Sequence, residues 1–97
     1  MEIRTSGNGV DVESALGAYV KRRTHFALGL FSSRVERVSV DLSQENGPNG
    51  DTIKTCCLRV RLLGLPAVVV EQADFDVRSA IDRAVNRTGC VLAERLL

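Results

Sequence analysis

A chain of 97 residues, 44% hydrophobic and 26% charged, suffices for one domain with one core and no staples. Its net charge of +1 lacks the basic excess of a strong polyanion binder and speaks mildly against nucleic acid. Three cysteines make no disulfide framework, no apolar run is long enough to span a membrane, and residues 1–15 carry Glu2, Asp11 and Glu13 rather than a signal peptide; a cytoplasmic, single-domain protein over 1–97 is expected.

Glu2 to Ser6 is a short expected strand, broken at Gly7-Asn8-Gly9. A helical pattern follows, with Asp11 as candidate N-cap and Val12, Ala15, Leu16, Tyr19 and Val20 on one face. Lys21, Arg22 and Arg23 sit near its end, where the helix dipole favours positive charge, and the helix is expected to run to about Phe26. Ala27 to Phe31 is apolar and irregular, ending at Ser32-Ser33. Val38, Val40 and Leu42 then alternate with Arg37, Ser39, Asp41 and Ser43, the mark of a half-buried strand. Gln44 to Asp51 reads as a loop. Alternation resumes with Cys56, Leu58, Val60 and Leu62 against Thr55, Cys57, Arg59 and Arg61, so the two runs make an antiparallel hairpin. Gly64-Leu65-Pro66 is a tight connection into a further strand, Ala67 to Glu71. From Asp74 to Leu97, Val77, Ala80, Ile81, Ala84, Val85, Thr88 and Leu92 form one apolar helical stripe.

The order is β-α-β-β-β-α. A right-handed crossover makes the first two strands parallel neighbours, and hairpins add the third and fourth. The expected fold is an α+β two-layer sandwich with sheet order 1-2-3-4 and both helices on one face.

Lys21, Arg22 and Arg23 are the densest basic cluster. A solvated helix end explains them as well as a binding site does. If Arg78, Arg83 and Arg87 face the same side, the six form a stripe about one RNA groove wide. Asp76 and Asp82 interrupt that stripe and are expected to pair with Arg78 or Asn86. Arg59 and Arg61, with Arg37 and Lys54, read as a solvated sheet face without stacking aromatics.

Several segments together resemble the ribosome hibernation promoting factor family, also called ribosome-associated inhibitors. They are Ile3-Arg4-Thr5-Ser6-Gly7-Asn8-Gly9-Val10-Asp11-Val12, Ala15-Leu16 with Tyr19-Val20, Arg23, Phe31, Val38-Ser39-Val40-Asp41-Leu42, and most specifically Asp76-Val77-Arg78-Ser79-Ala80-Ile81-Asp82. The resemblance implies a non-enzymatic regulator that binds small-subunit ribosomal RNA in the groove of messenger and transfer RNA. It places Arg23 and Arg87 where that family carries lysine, whereas Gly17, Phe26 and Cys90 replace basic residues. The alternative is an interaction module of the same fold that has lost the ribosome and self-associates.

No constellation supports enzyme chemistry, a cofactor or a metal. His25 is the only histidine and has no ligand partners at zinc spacing. Cys56, Cys57 and Cys90 are read as small hydrophobes without an oriented base. The Val68–Val70 edge has apolar side chains on both faces, and either a second copy pairing there or the segment after Phe26 is expected to cover it.

Overall fold

The computed structural model describes all residues, Met1–Leu97, as one four-stranded sheet with two helices. In chain order the elements are β1 (Glu2–Asn8), α1 (Ser14–Leu28), a 3-10 helix (Gly29–Arg34), β2 (Val35–Asn46), β3 (Thr52–Leu62), β4 (Val68–Asp74) and α2 (Val77–Leu96). The sheet order is β1-β2-β3-β4, with β1 parallel to β2 and the other neighbours antiparallel. The two-layer α+β architecture read from the alternation is the one observed.

Period-two burial builds the sheet half of the core. Val38, Val40 and Leu42 of β2 and Cys56, Leu58, Val60 and Leu62 of β3 are all buried toward the helices. Their register pairs Val38 with Val60, Val40 with Leu58 and Leu42 with Cys56, so apolar side chains meet directly across the ladder. The helical half comes from Ala80, Ile81, Ala84, Val85, Thr88 and Leu92 of α2 and from Leu16, Val20, Thr24 and Leu28 of α1. Val77 packs at the margin of this core, and Ala15, expected on the inner face of α1, is exposed. The end of α1 lies against α2 at Gly89, where an added Cβ would meet the Ala27 carbonyl oxygen at 3.5 Å, an ordinary van der Waals contact.

Local chemistry moves several boundaries. β1 continues through Gly7 to Asn8, and the chain then turns so tightly that a Cβ on Gly7 would overlap the Val10 carbonyl oxygen. That turn uses Val10 to Val12, which delays α1. Glu13, not Asp11, therefore occupies the N-cap position, without a side-chain cap. The helix runs to Leu28 because Thr24 and Leu28 continue the buried row one and two turns beyond Val20. Gln44, Glu45 and Asn46 look like loop in composition but pair with Lys54, Ile53 and Thr52. Their ladder extends beyond the core as a ribbon whose turn closes at Gly47–Asp51, giving a longest dimension of 42 Å. The segment after Phe26 packs chiefly against α1 and β2, leaving the free edge of β4 open.

Candidate nucleic-acid interface

Charge is segregated between the two helices and the rest of the chain. The two helices carry seven lysine and arginine side chains against two carboxylates, Asp82 and Glu94, a net of five positive charges. The sheet and connections carry six cations against ten carboxylates, a net of four negative charges. Near-neutrality is thus the sum of a positive helix layer and a negative remainder. It does not argue against a polyanion partner, contrary to the expectation from composition.

The centre of the helix layer is the seam between α1 and α2, organised by Tyr19. Its hydroxyl donates to Asp82 Oδ1 at 2.6 Å, and Arg23 Nε donates to the same oxygen at 3.0 Å. Arg23 Nη2 reaches Asn86 Oδ1 at 3.5 Å. The guanidinium carbons of Arg78 and Arg22 lie 4.5 and 5.4 Å from the centre of the Tyr19 ring, a cation–π arrangement that brings two cations close on a shared aromatic support. The bond to Asp82, followed by burial, raises the Tyr19 phenol above its usual range, so it remains a proton donor. Asp82 thus pairs with Tyr19 and Arg23, not with Arg78 or Asn86. Asp76 instead caps α2, accepting from Ser79 N at 2.9 Å and Ser79 Oγ at 3.0 Å. The backbone bond from Ser79 is the main reason its carboxyl lies below the usual value.

The six basic residues do not form one stripe. Arg22, Arg23 and Arg78 meet at the seam. Lys21 lies on the other flank of α1, bordering a groove with Ile3, Thr5 and Val12 beside β1. Arg83 and Arg87 lie on the β4 flank of α2, where Arg83 stands 3.6 Å from Asp74 and Arg87 borders the β4 edge. Lys21, Arg22, Arg78 and Arg87 form no ion pair, whereas Arg23 and Arg83 each have a carboxylate. Sequence reasoning placed Tyr19 in the core and missed its organising role; the available signal was an aromatic at three residues' spacing from Arg22. It also gave Phe26 no site role, although the ring is 83% exposed, with the Arg23 guanidinium 5.9 Å from its centre.

The opposite sheet face is balanced. Glu2 pairs with Arg37 at 3.0 Å and Arg4 at 3.3 Å, and Arg61 with Glu36 at 3.3 Å. The hydrogen bond from Arg37 is the main cause that lowers the Glu2 carboxyl. Ser6, Asp41, Cys57 and Glu71 form one cross-strand row, in which the Ser6 hydroxyl donates to Asp41. Partial burial, then Glu71 and Asp41, raise the Cys57 thiol, while deeper burial pushes Cys56 up to about 12. Neither is a ready nucleophile. Cys90, read as a small buried hydrophobe, is exposed on α2.

No curated protein matches the chain. Solved structures share the fold over almost the whole length, among them one from Coxiella burnetii and one from Thermus thermophilus. A ribosomal subunit interface protein from Coxiella burnetii aligns with a TM-score of 0.83 at 18% identity, covering 98% of this chain and 97% of that one. The N-terminal domain of Thermus thermophilus Protein Y aligns with a TM-score of 0.79 at 26% identity, covering 98% and 99%. The profile of the family described as Sigma 54 modulation protein / S30EA ribosomal protein matches residues 3–93, and the chain belongs to that family.

Proposed function

We propose that the helix layer binds small-subunit ribosomal RNA and that the protein thereby holds idle ribosomes inactive in the cytoplasm. The observation that carries this reading is the charge segregation along the chain: the two helices carry five net positive charges and the rest of the chain four net negative charges, with Glu13 and Asp76 at the helix N-cap positions and Asp74 beside Arg83 among the latter. Such an imbalance orients the molecule as it approaches a polyanion. Lys21, Arg22, Arg78 and Arg87 are free to contact phosphates, and Arg23 and Arg83 join by exchanging Asp82 and Asp74 for phosphate oxygens. Guanidinium groups suit this exchange because their planar donor fork matches phosphate as well as carboxylate. Family membership and the shared fold of the Coxiella burnetii ribosomal subunit interface protein support a ribosomal partner.

With about four to six phosphate contacts, the logarithm of the binding constant should fall with log salt at a slope of about −3 to −5. Cosedimentation with small ribosomal subunits across a salt series tests this. Binding at low salt that weakens along such a slope supports the reading; no cosedimentation even at low salt refutes it. The second reading, a non-enzymatic interaction module, is favoured by the open β4 edge, where Val69 is 51% exposed.

A further inference from the structure

The β4 flank of α2 is a surface distinct from the seam. β4 bonds only to β3, so its other edge is free. Along that edge α2 sets Arg87, Val91 and Arg95 at successive four-residue steps, one continuous row on the helix. They line a groove with Val68, Val70 and Gln72. Val68 and Val70 are buried beneath α2, and Val91 is half-buried. Arg87 and Arg95 are exposed, and neither forms an ion pair. The carboxylate bordering the groove, Glu71, shares its row with Cys57 on the far face of the sheet.

We propose that this edge binds an extended acidic segment of a partner protein by strand addition. The free edge of β4 supplies main-chain partners, and the helix row supplies specificity. Arg87 and Arg95 are eight residues apart, about 12 Å along the helix axis. Four residues of an extended strand cover about 13 Å, and residues at that spacing share a face. The fitting segment is therefore acidic, any, apolar, any, acidic: the carboxylates meet Arg87 and Arg95, and the apolar residue between them meets Val91. Antiparallel addition is the more stable pairing. Because α2 returns over the sheet after β4, the added strand then runs in the direction of α2, with its first acid at Arg87 and its second at Arg95.

A second copy of this chain fits less well. Antiparallel pairing of β4 with its own equivalent about a two-fold axis puts both helices on one side. Arg87 and Arg95 then confront the same residues of the other copy, and like charges oppose that contact.

The test uses the full chain, isotopically labelled, and a synthetic peptide containing Thr-Glu-Thr-Val-Thr-Glu-Thr. Saturable amide shifts confined to residues 67–72 and 87–95 are expected. Arg95→Glu should weaken binding about tenfold, and a peptide with lysine in place of its second glutamate should restore it. Arg95 is outside the proposed RNA set, so cosedimentation of R95E with small subunits reports separately on the RNA reading. The proposal is overturned by no saturable shifts, by shifts elsewhere, by indifference to R95E, by self-association at β4 without peptide, or by tighter binding of an RNA oligonucleotide at the β4 amides of residues 67–72, which lie outside the proposed RNA set.

Discussion

The helix layer and the open sheet face are both rich in arginine, yet only one is a candidate polyanion surface. On the sheet, register sets Glu2 across from Arg37 and puts Asp41 and Glu71 on either side of Cys57. On the helices, two carboxylates face seven cations, and one of those carboxylates is used to position Tyr19 and Arg23. The difference teaches that potential follows arrangement: on the sheet Arg4, Arg37 and Arg61 each have a carboxylate partner, although Arg61 stands across from Arg37, whereas five of the seven helix cations have none.

Charge reversal breaks or sustains that comparison most strongly. Arg22→Glu combined with Arg78→Glu should lower affinity for small subunits about a hundredfold and flatten the salt slope by about two. Arg59→Glu combined with Arg61→Glu should change affinity less than about twofold, since exposed sheet charges contribute little to a contact they do not make. Equal losses from both pairs, read by cosedimentation, would contradict the division of labour.

Asp82→Asn sharpens the comparison from within the helix layer. It releases Arg23 from a pair that is part-exposed on both sides. RNA affinity should rise a few-fold and the salt slope steepen by about one, while folding stability falls by about 1 kcal/mol or less. The Tyr19 phenol should titrate closer to its ordinary 10.0 in an ultraviolet pH titration. Unchanged phenol titration would show that Asp82 does not hold that hydroxyl.

The cysteines report on the layers independently. Exposed Cys90 should react first with a thiol probe, Cys57 on the open sheet face more slowly, and Cys56 only on unfolding, its thiol being buried and pushed up to about 12. Labelling of Cys56 in the native protein would mean that the layers separate readily.

The smallest effect concerns the α2 cap. The Asp76 carboxyl is lowered from the ordinary 3.8 by its bonds from Ser79. Its stabilising contribution is therefore fully present above about pH 4 and lost as pH falls through the lowered folded value. Asp76→Asn keeps a competent cap and should remove only that pH-dependent part, visible as a shallower acid limb in denaturation from pH 5 to 2. An unaltered limb would assign the acid sensitivity elsewhere.

The elements and sheet order were legible because strand burial obeys a period of two and the α2 stripe a period of 3.6. Boundaries were less legible where tertiary geometry overrode composition. Gln44 to Asn46 are polar yet paired, because a hairpin ladder needs only backbone groups. The start of α1 was displaced by the turn under Gly7; Gly7-Asn8-Gly9 announces a break, but not that the turn extends through Val12. Of the candidate site, the residue types were legible but not their grouping. Which flank of a helix faces a neighbour depends on the interhelix contact, so Arg22, Arg23 and Arg78 meet around Tyr19 while Arg83 and Arg87 lie on the β4 side. Net charge hid the segregation, since a sum over the chain carries no position.

The central claim is that the positive helix layer is an RNA-binding surface. Its most direct test is the binding of the unaltered protein to purified small ribosomal subunits, measured by cosedimentation from about 50 to 200 mM salt. About four to six phosphate contacts require a loss of roughly two orders of magnitude or more over that range. Binding that is absent at the lowest salt, or that is insensitive to salt throughout, would contradict the claim.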